Sequence, residues 1–316
     1  MFTRLSVPTP FQVGPINAYL AGRTLVDPGP ESEEAWAALL AGLEAEDLTP
    51  SDLERVVVTH PHPDHFGLAA RLSDAGADVL ASRPAADILA DFEGRLDYEQ
   101  AFFEDFFSRC GMAESTAETT TDLPRVFLRY APDVQTDRVL DDGDEIQVEG
   151  GTLTAHAAQG HAPGELLFSA EDDGEQVAIV GDQVLPDYTP NPFLQPPPEV
   201  GADRPHVVPA YNRSLERLRE ADFDRFLPGH GDPIDDPAGR VSEIRDAHEQ
   251  RTGEVAGLLD GPTTPVEVME GLFGDLPVTE YFSGISEAVG HLDVLLERDR
   301  ATVTERGGLL LYELST

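Results

Sequence analysis

The chain is predicted to adopt an α/β fold, and three patterns carry that prediction. The first third alternates short apolar strands with helix-periodic stretches. Residues 138 to 182 hold a run of short strands separated by turn residues, and after about Pro237 three helical stretches precede a hairpin.

Asn17 to Leu20 and Thr24 to Val26 read as strands, broken by Gly22 and ended by Asp27-Pro28-Gly29. Glu31 to Glu46 places Trp36, Leu39, Leu40 and Leu43 at helical spacing. Arg55 to Thr59 carries three consecutive valines and reads as a short buried strand, with Asp64 to Ala75 as the helix after it. From Pro84 to about Thr121 the pattern is helical and aromatic. Phe102, Phe103, Phe106 and Phe107 are expected to pack a helix face on the domain, a substrate cleft being the alternative place for such a stripe.

Arg138 to Leu140, Glu145 to Val148, Thr152 to His156, Leu166 to Ser169 and Val177 to Val180 follow as strands. Asp142-Gly143, Gly150-Gly151 and Asp173-Gly174 separate them, as antiparallel pairing requires. Pro186 to Pro209 is too rich in proline for regular structure, and a helix is expected over Tyr211 to Glu220 with Tyr211 and Arg213 on its surface. Helices over Val241 to Leu259, Thr264 or Pro265 to Phe273, and Ile285 to Glu297 come next. Ala301 to Thr304 and Leu309 to Tyr312, joined by Gly307-Gly308, complete a hairpin. Three helices and a hairpin form a winged-helix pattern, so the chain divides into a domain over 1–238 and a smaller one over 239–316.

Composition narrows the function classes. There are 60 acidic residues against 21 basic ones, a net charge of −39, and every basic residue is arginine. The acid is spread along the chain among good helix and strand patterns, which argues against a disordered tail. Repulsion of this size is screened at molar salt, where the Debye length is about 3 Å, so adaptation to a very salty cytoplasm is expected. Cys110 is the single cysteine, which leaves no partner for an intrachain disulfide and fits a reducing compartment. With no leader-like N-terminal pattern and no apolar run near the ~20 residues a membrane span needs, a cytoplasmic location is expected and no membrane partner.

The chemistry is concentrated in His60-Pro61-His62-Pro63-Asp64-His65, directly after a buried strand. Residues two apart in an extended segment point the same way, so His60 and His62 can grip one metal, while Asp64 and His65 at the turn into a helix reach a neighbouring one. Burying that many polar groups without partners would cost on the order of 2 kcal/mol or more per group, which packing alone does not explain. Three later residues complete the set: His161 in Gly160-His161-Ala162-Pro163-Gly164, Asp182 at the end of Val180-Gly181-Asp182, and His230 in Gly229-His230-Gly231. Each is a ligand type presented beside glycine at a strand end. His156, His206, His248 and His291 fall outside this pattern and are expected to be structural.

The His-x-His-x-Asp-His motif, the later Gly-His, the strand-end Asp and the last Gly-His together resemble the metallo-β-lactamase superfamily, over about residues 5 to 235. Asp27 in Leu25-Val26-Asp27-Pro28-Gly29 is similar to the early structural Asp of that superfamily. The resemblance implies a four-layer αββα sandwich over 1–238 with two divalent metal ions at one edge. It implies that His60, His62 and His161 hold one ion, that Asp64, His65 and His230 hold the second, and that Asp182 bridges them. Zinc is the expected metal, with manganese and iron open to the same ligands. A water shared by the two ions would be activated to hydroxide at neutral pH, with Asp64 orienting it. Gln159 stands where the family usually has a proline before Gly-His. The segment after Arg240, with His248-Glu249-Gln250-Arg251 and Gly290-His291-Leu292, is similar to the winged-helix segment that trails some members, endoribonuclease-like hydrolases among them.

These features imply a binuclear metallohydrolase. An anionic small molecule, a phosphodiester or single-stranded RNA is the first expectation for the substrate, and a thioester handled as in glyoxalase II is the alternative. Residues 240–316 carry 6 Arg against 15 acidic residues, whereas nucleic-acid binders usually show a basic stripe, so this region is expected to serve packing or homodimerisation as readily as nucleic-acid binding. A winged-helix regulator with an inactive hydrolase domain belongs to another class, and the complete ligand set argues against it. An iron-dependent oxidation on the same scaffold is the remaining reading.

Overall fold

The computed structural model describes residues 1–190 and 192–315. Two sheets face each other. The first has six strands in chain order, β1 (Thr3–Val7), β2 (Ile16–Ala21), β3 (Thr24–Val26), β4 (Arg55–Val57), β5 (Asp78–Ser82) and β6 (Arg138–Leu140). β1 to β3 pair antiparallel, and β3 to β6 pair parallel through helical crossovers. The second sheet runs in the order β11 (Arg225–Pro228), β10 (Glu175–Gly181), β9 (Leu166–Asp172), β8 (Gly151–Ala157), β7 (Glu145–Val148), antiparallel except for the β10–β11 pair.

Period-two alternation assigns the faces. Leu166, Phe168, Ala170, Val177 and Ile179 point between the sheets and meet Tyr19, Val26, Val57 and Leu80 from the first sheet. Leu167, Ala178 and Val180 point outward onto Tyr211, Leu215, Val241 and Ile244 of α7 (Val207–Glu220) and α8 (Pro237–Leu258). The outer face of the first sheet, with Leu25, Val56 and Val79, is covered by α1 (Glu33–Ala45), α3 (Ala69–Asp74) and α4 (Arg83–Ala90). The result is the expected αββα layering.

Local signals set the helix ends. Ser32, Ser82, Asp91, Asp236 and Thr264 each cap a helix through a side-chain oxygen. The single helix expected over 64–75 is two short ones, α2 (Pro63–Phe66) and α3, because the chain at Gly67 runs against neighbouring backbone; a Cβ there would lie 2.2 Å from the Tyr130 carbonyl oxygen. α7 begins at Val207, ahead of the expected start, with Pro209 in its first turn where a missing N–H costs nothing. β1 and β5 were not expected; β5 is short and buried along Val79–Ser82, so it shows no alternation to read.

α5 (Phe92–Arg109) and α6 (Glu114–Asp122) lie between the sandwich and the C-terminal elements α9 (Pro265–Phe273), α10 (Tyr281–Glu297), β12 (Ala301–Arg306) and β13 (Leu309–Leu314). Phe103, Phe106 and Phe107 of α5 share an apolar core with Val255 of α8, Val268 of α9, Leu292 of α10 and Tyr312 of β13. The phenylalanine stripe therefore packs helix on helix, as expected. Three helices and a hairpin follow one another in the expected order, and their interior is continuous with α5.

Candidate metal centre

The loops that follow β4, β8, β10 and β11 deliver the seven expected residues to one edge of the sandwich. They form two groups of donor atoms, His60, His62, His161 and Asp182 in one, and Asp64, His65 and His230 in the other. The backbone joins the two sheets here: Leu166 N donates to the Thr59 carbonyl at 2.8 Å, and Asn17 N to that of Gly229 at 2.7 Å.

In the first group His60 Nε2, His62 Nδ1 and His161 Nε2 stand 3.0, 3.2 and 3.3 Å from one another. Burial, reinforced by the neighbouring imidazoles, pushes His60 well below its ordinary pKa and His161 down to about 3; burial lowers His62 too. All three are neutral at physiological pH. Thr59 donates its hydroxyl to Asp27 Oδ2 at 2.6 Å, so His60 Nδ1–H donates to Thr59 Oγ1 at 2.9 Å and leaves a lone pair on Nε2. Nitrogen lone pairs converging from about 3.3 Å apart match the edges of a tetrahedral site with metal–nitrogen bonds of about 2.0–2.1 Å.

Asp182 spans both groups. Its Oδ2 is 3.9 Å from His161 Nε2, and its Oδ1 is 3.4 Å from His65 Nε2 and 3.7 Å from His230 Nε2. Asp64 Oδ2 lies 3.3 Å from His230 Nε2. Burial alone would depress His65 and His230; Asp182, with Asp27 beside His65 and Asp64 beside His230, outweighs it and raises both. The same histidines overcome the burial of Asp182 and Asp64 and hold both carboxyls below the ordinary range.

Supporting contacts fix each ring. His65 Nδ1 is 2.8 Å from Asp27 Oδ2, while Asp27 Oδ1 accepts from Thr59 N at 2.8 Å. His230 Nδ1 donates to the Pro15 carbonyl at 2.9 Å, turning Nε2 toward the site. Asn17 and Tyr19 brace that loop by donating to the Pro228 carbonyl. His65 Nε2, His230 Nε2 and Asp182 Oδ1 are buried without a hydrogen-bond partner among the described residues. Such orphaned atoms are costly unless an ion takes them up, so the residues fit divalent metal ions.

A sequence profile described as the metallo-beta-lactamase superfamily matches residues 12–230, a span that holds all seven donors. The chain belongs to the metallo-beta-lactamase superfamily. Among superfamily relatives, the "Probable metallo-hydrolase YqjP" of Bacillus subtilis is 31% identical over 314 residues, covering 98% of this chain and 96% of its own. The "Atrochrysone carboxyl ACP thioesterase" of Aspergillus fumigatus is 23% identical, covering 85% of this chain and 72% of its own. A metallo-beta-lactamase family protein from Thermus thermophilus superposes with a TM-score of 0.79 at 28% identity, over 99% of this chain and 98% of the other. The chain is a metal-dependent hydrolase of this superfamily.

Some of the architecture around the centre gave no sequence signal. Thr59 reads as one more β-branched strand residue, and the Pro15 carbonyl is backbone. Gln159 uses the N–H that a proline would lack, donating to Ser214 Oγ at 2.9 Å. Tyr211, expected on the helix surface, is fully buried, with its hydroxyl on the Gln183 carbonyl. Arg213 is exposed and pairs with Glu297. His156, His206, His248 and His291 lie away from the centre, bonded to Ser169, Glu297, Asn212 and Thr252 respectively.

Proposed function

We propose that the protein hydrolyses an ester or thioester whose acyl group is bulky and apolar. The observation that carries this reading is a cavity of about 590 Å³ that opens on His62, Asp64 and His161 and is otherwise lined largely by apolar side chains such as Phe92, Leu96, Phe193 and Phe282. Its size and lining suit a small organic ligand anchored at one polar end. Among the described residues Arg95 is the only arginine that lines it, and Arg95 is paired with Glu99 at 2.7 Å. A phosphodiester backbone would find no free cation on these walls, so the cavity favours the thioester reading over the phosphodiester one. The name of the Aspergillus fumigatus relative, a thioesterase, supports the same choice.

In this reading His60, His62 and His161 would hold one divalent ion and Asp64, His65 and His230 a second, with Asp182 within reach of both groups. Zinc suits these nitrogen and carboxylate donors. Bound ions would supply Lewis acidity, making water nucleophilic at neutral pH and polarising the carbonyl. The chain's own work is positional. The apolar walls bind the acyl group and exclude bulk water, and ionised Asp64 at the cavity floor orients the attacking water.

The test compares turnover of a phenylalkanoyl N-acetylcysteamine thioester with that of bis(p-nitrophenyl) phosphate, using metal-loaded protein in molar KCl and Asp182→Ala as the blank. Thioester hydrolysis is expected to fall at least about 10³-fold in the variant, with bound metal reduced from two ions per chain. Phosphodiester cleavage without thioester cleavage would overturn the proposal and restore an RNA-like substrate.

A further inference from the structure

The cavity wall contains one charged pair that the proposed chemistry does not use. α5 turns Phe92, Arg95, Leu96 and Glu99 into the cavity, the spacing of a single helix face. Arg95 and Glu99 therefore stand in a largely apolar lining, their side chains 14% and 29% exposed. Arg95 Nε donates to Glu99 Oε1 at 2.7 Å. The guanidinium lies 5.9 Å from the Tyr98 ring centre, and Tyr98 is held by its hydroxyl on the Pro197 carbonyl at 2.9 Å.

A guanidinium carries five N–H donors and a carboxylate two acceptor oxygens. The pair uses Nε and Oε1, which leaves the Nη groups and Oε2 without a hydrogen bond among the described residues. An i,i+4 pair on a solvated surface stabilises a helix weakly, and turning it into an apolar cavity adds a desolvation cost. Two leucines would fill the same wall more cheaply.

We infer that Arg95 and Glu99 read a neutral hydrogen-bonding group, a hydroxyl or carbonyl, carried on the apolar acyl portion of the substrate. The inference rests on the proposed acyl hydrolysis and narrows its substrate class. The pair is neutral as a unit and offers both donors and an acceptor. A carboxylate on the substrate would meet Glu99, and an ammonium would meet Arg95. A hydroxyl meets neither repulsion and can bond to both.

The experiment uses the metal-loaded full chain and three N-acetylcysteamine thioesters, of 6-phenylhexanoate, 6-(4-hydroxyphenyl)hexanoate and 6-(4-carboxyphenyl)hexanoate. The wild type is expected to favour the hydroxylated thioester by at least about tenfold in kcat/KM. In Arg95→Leu/Glu99→Leu, which leaves neither charge unpaired, that ratio should fall to about one. Glu99→Gln supplies an independent arm: it keeps an acceptor for Arg95 but makes the pair cationic, so the 4-carboxyphenyl thioester should gain about tenfold over the unsubstituted one relative to wild type. A pair that only braces the helix would move neither ratio, and unchanged ratios overturn the inference. If the wild type turns over none of these thioesters, the acyl-hydrolase reading falls, and the role of the pair with it.

Discussion

A Cβ at Gly229 would lie 2.5 Å from Asp182 Oδ1 and 2.8 Å from His65 Cε1. The turn after β11 thus approaches two donors of the metal centre at a distance no side chain permits. Gly229→Ala should push Asp182 and His65 apart, at a stability cost of about 1–3 kcal/mol from the clash. Bound metal, counted by plasma mass spectrometry, should fall below the wild-type stoichiometry while far-UV circular dichroism stays native. Full metal occupancy in this variant would mean that the turn yields and the centre does not depend on the missing side chain. The seven residues that the structure brings together were legible from the sequence because their residue types and strand-end positions suit metal chemistry. The parts that aim them were less so. Asp27 was visible through its turn, with φ at 54°, but its bonds to Thr59 and His65 depend on strands β3 and β4 lying side by side. That adjacency is tertiary information, and a carbonyl such as that of Pro15 has no residue signature at all.

At the scale of elements, α5 does two jobs along its length. Its first turns face the cavity through Phe92 and Leu96, and its last turns face the C-terminal helices through Phe103, Phe106 and Phe107. The sequence offered both places for its aromatic stripe, and packing decides because Phe103 and Phe107 stack on each other and meet Phe282 of α10 edge to face. Between α7, α8 and α10 lies a buried polar cluster: His248 against Asn212, and His291 donating to Thr252 Oγ1, which in turn donates to the His248 carbonyl. Burial depresses His248 to about 4, and burial with its charged neighbours depresses His291 to about 3. Above pH ~6.5 both residues are neutral whether folded or unfolded, so they add no pH dependence to stability there. As pH falls below that value the unfolded chain binds protons that the folded chain refuses, and stability declines until the folded values are reached. For one histidine this amounts to at most about 2 kcal/mol between pH 7 and 5. Nearby Glu287 is raised by burial and works in the opposite direction, so the informative quantity is a difference between variants. His291→Gln should weaken the acid sensitivity of urea unfolding by about 1–2 kcal/mol over that range. Parallel pH profiles for variant and wild type would show that His291 is protonated in place without unfolding the interface.

For the whole molecule the dominant fact is charge, −39 distributed over both sheets, the helices and the hairpin. Arginines must serve several carboxylates at once; Arg125 alone lies within ion-pair range of Glu93, Asp97 and Asp122. With 21 cations for 60 anions, most carboxylates face solvent and one another. At 0.1 M salt the Debye length of about 10 Å lets neighbouring surface carboxylates repel, and at 1 M it shrinks to about 3 Å. The compact state suffers more from this repulsion than the expanded chain, so salt should stabilise the fold. The thermal midpoint is expected to rise on the order of 10 °C between 0.1 and 2 M KCl, equivalent to about 7 kcal/mol for a chain of this size. Screening has a signature that general exclusion of cosolute lacks. The gain should be steepest at low salt and flatten once the Debye length falls below the spacing of surface charges, and sucrose at equal osmolality should not reproduce the steep part. A midpoint that does not move with KCl, or that sucrose raises equally, would mean that the acid serves solubility rather than stability at high salt. The cavity makes the same distinction functional, since an apolar acyl group bound there is insensitive to screening while a phosphodiester would lose its contacts as salt rises. Turnover of the thioester should therefore hold or increase from 0.1 to 2 M KCl, in step with the folded fraction.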